Sequence, residues 1–372
     1  MLAATIAGLS VVAPAPAVAI PAGEAITHLN AQRARNGLPA GIVEHPAKTL
    51  GCAQHLRYQQ LNRTGLTHVE IEGRPGWTLE GAREAPGSGG SEVLGFGDAW
   101  DDAWTQPWSD APIHFALTMS PEVQGAGYAF NGAATCMRLG EAPDGVVAIE
   151  PLPAIYSVPG PGVTGVPASW STNELPYTPA DVLGLREPTG YDILLWNRLT
   201  GADDIASAQL TGPAGPVAVR WVDSRTPTPT VTNGADTWEG GTWGWGTMVL
   251  PVRPLDPDQP YVLQVTFVDG TPYQLAFRTA PLPKPRVQQL SLHRASLAVR
   301  VDRDTSATIR VQKLSPTNPS RSIATVRRFE VDLDAGTTLR LRMRPLAAGR
   351  YRARVESDSG EVLAQTATLR VF

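Results

Sequence analysis

Three short stretches between Gly65 and His114 hold the residues around which the rest of the chain is organised. They are Gly65-Leu66-Thr67-His68, Ser91-Glu92-Val93-Leu94-Gly95-Phe96-Gly97 and Trp108-Ser109-Asp110-Ala111-Pro112-Ile113-His114. Two histidines and a carboxylate are the residue types that form a divalent metal site or an acid–base site. They lie too far apart for one helix, so only the tertiary fold can bring them together. From the residues alone, ordinary partly buried polar side chains remain the alternative interpretation.

Length and charge divide the chain into parts. Its 372 residues predict two or three domains, because a single hydrophobic core rarely grows beyond roughly 250 residues. The 36 glycines and 34 prolines favour short strands and turns over long helices. Residues 285–372 hold 16 Lys and Arg against 8 Asp and Glu, a formal charge of +8, whereas the remainder carries −12. This distribution predicts a basic module attached to an acidic body.

The first residues predict secretion. Residues 1–19 are uncharged and end in Ala17-Val18-Ala19, the pattern of a signal-peptide cleavage site, although the positive n-region of a complete signal peptide is missing. No later apolar run reaches the ~20 residues of a membrane span, so no transmembrane anchor is predicted. In an oxidising compartment the two cysteines, Cys52 and Cys136, are expected to form a disulfide. Two buried free thiols are the alternative.

The region after the leader is predicted to be an α+β domain over residues 20–150. Hydrophobic spacing predicts helices over 24–36 and about 46–62, the second with Leu50, Leu56 and Leu61 on its apolar face. A third helix is predicted from three tryptophans at helical spacing, Trp100, Trp104 and Trp108.

A hairpin is predicted to follow these helices. Residues 125–130 and 135–137 have the composition of strands, and Asn131-Gly132 between them is a hairpin turn signal. Helices followed by a hairpin are typical of an α+β domain.

The middle of the chain predicts a β-sandwich over residues 153–280. Residues 153–180 contain six prolines and are interpreted as a linker plus an entry strand. Strands are predicted at 191–196, 217–222 and 261–267, separated by turn clusters. Three further tryptophans, Trp238, Trp243 and Trp245, either plug one end of this sandwich or form a carbohydrate-stacking loop.

The basic C-terminal part, residues 285–372, predicts a second sandwich. Apolar and polar residues alternate along 297–301, 308–311, 339–344 and 351–355. The alternation places Arg340, Arg342 and Arg344 on one face, and Arg350, Arg352 and Arg354 are expected on a neighbouring strand. This face is either simply solvated or binds a polyanion.

Several motifs of the N-terminal domain together resemble the CAP family of cysteine-rich secretory proteins, antigen 5 and plant pathogenesis-related 1 proteins. The segments His68-Val69-Glu70 and Pro75-Gly76-Trp77-Thr78-Leu79-Glu80-Gly81-Ala82 look like its bacterial secreted branch, in which immunoglobulin-like or fibronectin-like β domains follow. The motifs are Leu29-Asn30-Ala31-Gln32-Arg33-Ala34-Arg35-Asn36-Gly37-Leu38-Pro39, Cys52-Ala53-Gln54-His55-Leu56-Arg57-Tyr58, Thr67-His68, Glu92-Val93-Leu94-Gly95-Phe96-Gly97, Trp108 with His114, and Gly125-Ala126-Gly127-Tyr128.

The resemblance implies an α-β-α sandwich with a central cavity, followed by two all-β sandwiches. In that family the cavity can hold a divalent cation such as zinc, and the matching residues here are His68, Glu92 and His114. The family's second acidic position corresponds to Ala111, and the adjacent Asp110 is offset by one residue. No cofactor follows from the residues alone.

These observations predict a secreted or cell-surface protein that acts by binding and not by catalysis. The expected partner is an envelope polymer, a lipid or a protein, and no nucleic-acid partner is expected. Two alternatives stay open: a metal-dependent hydrolase using His68, Glu92 and His114, and a purely structural envelope protein. A serine hydrolase is set aside, because the sequence contains no Gly-x-Ser-x-Gly motif.

Overall fold

Two compact units, Met1–Pro281 and Leu282–Phe372, make up the chain in the computed structural model. The predicted signal peptide, residues 1–19, lies outside the described residues. The structure describes residues 20–82, 91–147, 151–170, 174–233, 236–282, 284–318, 321–357 and 360–371.

Helices of the first unit start and stop where local sequence dictates. Helix α2 begins with a proline, whose missing N–H costs nothing at that position, and it is followed by Arg63 in the left-handed conformation, with φ 52°. The predictions of helices at 24–36 and 46–62 are confirmed. The described helices are α1 (Ala22–Arg35), α2 (Pro46–Asn62), α3 (Leu79–Ala82), α4 (Pro112–Met119) and α5 (Pro179–Val182).

The buried face of α2 differs from the predicted one. Leu56 is buried as predicted, but Leu50 and Leu61 are each 51% exposed. The helix also buries His55 and Tyr58. The prediction is therefore wrong for Leu50 and Leu61, because hydropathy alone cannot anticipate a buried histidine whose ring nitrogens are both hydrogen-bonded.

The three tryptophans at helical spacing do not form a helix. The Asp101 carboxylate accepts hydrogen bonds from the backbone N–H groups of residues 103–105, which holds this segment in a tight turn. Trp108 is fully buried, and the Trp100 ring meets it edge-on with centroids 6.0 Å apart. The predicted third helix is therefore wrong, although the interpretation of these rings as core residues holds for Trp108.

A four-stranded sheet with order β1-β3-β4-β2 packs beside the helices. The predicted hairpin is confirmed, with Gly132 at φ 94° in its turn. Helix α2 lies so close to β3 that a side chain at Gly127 would come within 2.1 Å of the Thr49 nitrogen. The predicted disulfide between Cys52 and Cys136 is present and ties α2 to β4. The strands are β1 (Val43–Glu44), β2 (Ser91–Phe96), β3 (Gly125–Phe130) and β4 (Ala134–Gly140).

A β-sandwich follows in the same unit, as predicted. Its main sheets have the orders β5-β6-β14-β9 and β16-β15-β7-β8, and two short hairpin-like sheets pair β10 with β13 and β11 with β12. The strands are β5 (Ile155–Val158), β6 (Ile193–Asn197), β7 (Ile205–Gly212), β8 (Gly215–Val217), β9 (Val219–Val222), β10 (Pro227–Thr228), β11 (Val231–Asn233), β12 (Asp236–Trp238), β13 (Gly241–Thr242), β14 (Thr247–Pro251), β15 (Pro260–Phe267) and β16 (Pro272–Arg278).

One hydrophobic core runs through the helical region and this sandwich. The Phe115 ring of α4 meets the Trp170 ring at 5.7 Å and the Tyr191 ring at 6.4 Å. Trp170 is 3% exposed and Tyr177 is 6% exposed, so the proline-rich segment interpreted as a linker is packed into the core. Regions 20–150 and 153–280 thus belong to one compact unit.

The second unit is a sandwich of two antiparallel sheets, as predicted. One has the order β17-β18-β21; the other has β20-β19-β22-β23, with β24 also pairing with β22. Alternate residues of both sheets, such as Val299, Ile309 and Val355, form its own core. The strands are β17 (Val287–Leu292), β18 (Ser296–Val301), β19 (Thr305–Leu314), β20 (Ser322–Leu333), β21 (Thr338–Arg342), β22 (Gly349–Ser357), β23 (Val362–Gln365) and β24 (Leu369–Val371).

Candidate functional site

Two adjoining cavities of about 180 Å³ each lie where the helical region meets the first sandwich. They share four lining residues, which are His68, His114, Leu175 and Trp238. Glu92 lines the second cavity, so the three residues predicted to form the site do surround one space. Ala111 and the adjacent Asp110 line the first cavity.

His68 is held from two sides. Its ring Nδ1 lies 2.9 Å from Oε2 of Glu92, a buried residue of β2. Its backbone N–H donates to the Asp236 carboxylate at 3.2 Å, and that carboxylate also accepts the Thr67 hydroxyl at 3.0 Å. Asp236 belongs to β12, so a strand of the sandwich region fixes the loop that carries His68.

His114 is held in a parallel way at the start of α4. Its ring Nδ1 is hydrogen-bonded to Oε1 of Glu174. The other oxygen of Glu174 accepts the Ile113 N–H at 2.7 Å, so this carboxylate also satisfies a free backbone donor at the helix N-terminus. Glu174 is buried and comes from the proline-rich segment. It places a second buried carboxylate beside the cavity, bound to the second histidine.

Both rings line the cavities, and in both of them the same nitrogen is bound to a carboxylate. Because each Nδ1 faces a carboxylate, Nδ1 carries the proton, and in the neutral ring Nε2 carries a lone pair. Within the described ranges, no hydrogen bond reaches Nε2 of His68 or His114. A carboxylate that orients an imidazole in this way is typical of histidines that accept a ligand through Nε2.

A buried charge network stands behind His68. Oε1 of Glu92 accepts Nε of Arg138 at 2.8 Å, and both residues are buried. His55 donates from Nδ1 to Glu70 at 2.9 Å and from Nε2 to the Thr67 carbonyl at 2.7 Å. The Thr67 carbonyl can only accept, so Nε2 of His55 carries a proton, and the charged ring is the form that would also donate from Nδ1 to an ionised Glu70.

The network shifts the pKa values of two of its members, Glu92 and His55. Burial alone would raise the pKa of Glu92, but the hydrogen bond from His68 and the charges of His55 and Arg138 lower it below its usual value. Burial would likewise lower the pKa of His55, yet the hydrogen bond to Glu70 and the charge of Glu92 raise it above its usual value. Glu92 is therefore held ionised beside the cavity.

The residues as placed do not form a three-ligand metal site. Both oxygens of Glu92 are already engaged, one by Arg138 and one by His68. In the part of the chain that the structure describes, no group of three or more His, Cys, Asp or Glu side chains is placed to hold a metal ion. The assignment of His68, Glu92 and His114 as metal ligands stays a prediction.

Two residues of this site were not predicted from the sequence. Glu174 and Asp236 lie 60 and 168 residues away from the histidines they bind, so no local motif connects them. Trp238 was considered as a plug or a stacking residue, and it lines both cavities. Of its neighbours, Trp243 is buried and Trp245 lines the second cavity.

The predicted arginine face is only partly present. Arg340, Arg342 and Arg344 are exposed. Strands β21 and β22 belong to different sheets, so the expected addition of Arg350, Arg352 and Arg354 to the same face is wrong. The alternation along a strand does not reveal which sheet the strand joins.

No family model and no curated protein matches this sequence. Solved structures with some likeness include fibronectin(III)-like modules of Clostridium thermocellum CbhA, at 7% identity over 59% of this chain and 93% of that chain, with a TM-score of 0.17. The D0-D1 domain of intimin matches at 9% identity over 49% and 89%, with a TM-score of 0.17. DIP-gamma IG1+IG2 matches at 13% identity over 59% and 96%, with a TM-score of 0.20. TM-scores of this size indicate nothing about function.

No helix among the described residues is long and apolar enough to cross a membrane.

Proposed function

We propose that this chain is a secreted CAP-family protein that binds a small ligand in the cavity between His68 and His114. The order of elements supports the family assignment. Two helices precede His68, a strand carries Glu92, a helix carries His114, and the β3–β4 hairpin follows. Contacts of α1 and α2 with β3, and of α4 with β2, are those expected of an α-β-α sandwich.

The observation that carries the proposal is the paired orientation of the two imidazoles. Glu92 and Glu174 each bind Nδ1 of one ring, which leaves Nε2 of both cavity-lining histidines free to accept. Acceptors fixed beside an apolar wall can orient a ligand in the cavity. We therefore infer ligand binding as the function of this site, and hydrolysis is an outcome of the test below.

The walls define the chemistry of the ligand. Leu175 and Trp238 provide apolar and aromatic surface, and Leu175 is 52% exposed. A ligand with a hydroxyl or amine donor for the Nε2 atoms and an apolar body against these side chains fits this arrangement. We infer that the ligand is an envelope component that carries both of these groups.

Binding of the full chain to washed cell envelopes tests the proposal. The parent is compared with His68→Gln/His114→Gln and with Leu175→Ser, both of which alter the cavity. Leu152→Ser is the matched control, because Leu152 is 72% exposed and does not line either cavity. We expect the cavity variants to lose about tenfold in affinity, equivalent to roughly 1.4 kcal/mol, and the control to bind like the parent.

Two outcomes would overturn the proposal. Equal retention of all four proteins would place binding outside the cavity. Stoichiometric zinc in the purified parent that is lost in His68→Gln/His114→Gln, together with hydrolytic activity, would favour the metal-dependent hydrolase.

A further inference from the structure

Two arginines face each other without a counter-charge at one end of the second unit. Arg350 of β22 is directly opposite Arg370 of β24 in the antiparallel register. Like charges in this arrangement repel each other. Within the described ranges, neither guanidinium forms an ion pair with a carboxylate of the second unit.

The same sheet neutralises its other facing arginines. Arg310 lies opposite both Arg328 and Arg354. Nε of Arg310 is 2.8 Å from Oε2 of Glu356, and Nε of Arg354 is 3.1 Å from Oε1 of that residue. Arg328 pairs with Glu330 at 2.8 Å. Among the described residues of this sheet, Arg350 and Arg370 are therefore the facing arginines for which no carboxylate supplies a compensating charge.

A cavity of about 560 Å³ opens beside this pair. Its charged lining residues, Lys313, Arg350 and Arg370, are all cations, and no Asp or Glu is found among the described residues of its lining. The remaining walls are apolar or small, and one of them, Ile323, is 54% exposed. They are Leu314, Pro316, Ile323, Ala348, Gly349 and Val371.

We propose that this cavity binds an anionic amphiphile, with a phosphate monoester head between Arg350 and Arg370 and a hydrocarbon chain along Ile323 and Leu314. Guanidinium groups recognise phosphate oxygens through paired, charge-assisted hydrogen bonds. The volume lies within the roughly 300–1,000 Å³ typical of small-molecule sites. The exposed apolar wall favours an amphiphile over a free anion, because burying it against a hydrocarbon chain is favourable.

Calorimetry on the full chain tests this site with octyl phosphate below its micelle concentration. Inorganic phosphate carries the head group alone, and 1-octanol carries the chain alone. We expect octyl phosphate to bind roughly tenfold more tightly than either, because both halves of the cavity are then engaged.

Three variants divide the contributions. Arg350→Gln/Arg370→Gln should weaken octyl phosphate binding roughly tenfold, and Ile323→Ser roughly threefold. Arg340→Gln/Arg342→Gln removes the same charge from the other sheet and should leave the affinity within about twofold of the parent.

The proposal fails if the control double variant loses as much affinity as Arg350→Gln/Arg370→Gln, since net charge would then explain binding. It also fails if inorganic phosphate binds as tightly as octyl phosphate, or if octyl phosphate does not bind the parent. Far-ultraviolet circular dichroism of each variant separates lost binding from lost folding. None of these outcomes bears on the cavity of the first unit, which the variants leave unchanged.

Discussion

The two units of this chain treat charge in opposite ways. The first buries ionisable side chains, among them His55, Glu92 and Arg138, each less than 10% exposed. In the described part of the second unit, the buried polar residues are Gln312 and Ser315, which do not ionise. A buried charge must be matched by partners in fixed positions, whereas a surface charge is free to meet an external ion. The first unit therefore carries fixed and paired charges beside its cavities. The second carries surface cations that are free to meet an external anion.

The largest expected effect comes from breaking the buried network. Arg138 donates to Glu92, to the Glu80 carbonyl at 2.7 Å and to the Gly81 carbonyl at 2.5 Å. Arg138→Met leaves the Glu92 charge buried without this cation and should lower the free energy of unfolding of the first unit by about 3–5 kcal/mol. Tryptophan fluorescence follows this transition alone, because all ten tryptophans lie between Trp77 and Trp245.

An exposed pair in the second unit provides the matched control. The side chains of Arg328 and Glu330 are 54% and 75% exposed, so their ion pair is screened by water. Arg328→Met should change the free energy of unfolding of the second unit by about 0–1 kcal/mol, followed by circular dichroism. If Arg138→Met and Arg328→Met lower the free energy of unfolding equally, burial of the charge does not explain the difference between the units.

Reduction of the disulfide gives the next largest effect and also acts on one unit only. Both cysteines lie in the first unit and are buried, and the bond closes a loop with a sequence separation of 84. A loop of this length limits the unfolded chain, so Cys52→Ala/Cys136→Ala should lower the free energy of unfolding by about 2–4 kcal/mol. Dithiothreitol should shift the fluorescence transition of the parent and leave that of the variant unchanged. A shift in the second unit, which contains no cysteine, would contradict the division.

Sequence patterns predicted the helices and strands better than the contacts around them. Helix α2, the β3–β4 hairpin and the strands of both sandwiches follow from proline and glycine positions and from alternation, which are local properties. The tryptophan spacing from Trp100 to Trp108 has a helical period, yet Asp101 binds the backbone and turns the chain. A period shows what a segment is able to form and not which local hydrogen bonds compete with it.

The candidate site was predictable as a set of histidines but not as a complete arrangement. The order of the motifs was enough to select His68, Glu92 and His114, because the resemblance to the CAP family gives each of them a counterpart. Glu174 was hidden in a segment interpreted as a linker, and no periodicity marks a carboxylate that reaches a distant helix N-terminus. Only the tertiary packing of the sandwich region against α4 brings it to His114.

A buried acid with one unsatisfied oxygen extends the comparison within the first unit. Asp192 is 1% exposed, and its Oδ1 has no hydrogen-bond partner. Burial, reinforced by the charge of Glu187, holds the pKa of Asp192 well above its ordinary value. Asp192→Asn removes an ionisable group of the same shape and should raise the free energy of unfolding at neutral pH by about 1–3 kcal/mol.

The sign of its pH dependence follows from the raised pKa. The pKa of Asp192 is higher in the folded protein than in the unfolded chain, where it lies near 3.8. Its contribution to stability is therefore fully present at a pH below 3.8 and is lost as the pH rises through the folded pKa. The advantage of the Asn variant should therefore shrink as pH falls towards 4, measured by denaturant titration at each pH. If the free energy of unfolding of Asp192→Asn instead gains on that of the parent as pH falls, the cost of burying an ionised group belongs to another residue.

The smallest effect on stability is expected at the exposed arginines of β21 and the following loop. Arg340→Gln/Arg342→Gln/Arg344→Gln should change the free energy of unfolding by less than about 0.5 kcal/mol, since none of these side chains is buried. Retention on an anionic envelope polymer should nevertheless fall at low ionic strength, and the difference from the parent should vanish at high salt because exposed charges are screened. The matched control is Arg328→Gln/Arg352→Gln/Arg354→Gln, which removes three charges from strands of the other sheet and leaves Arg350 and Arg370 in place. Greater retention of the control identifies the β21 face as the contact. Equal retention of the two triple variants would show that net charge alone attaches this unit, and then the position of its arginines would carry no specificity for the polymer.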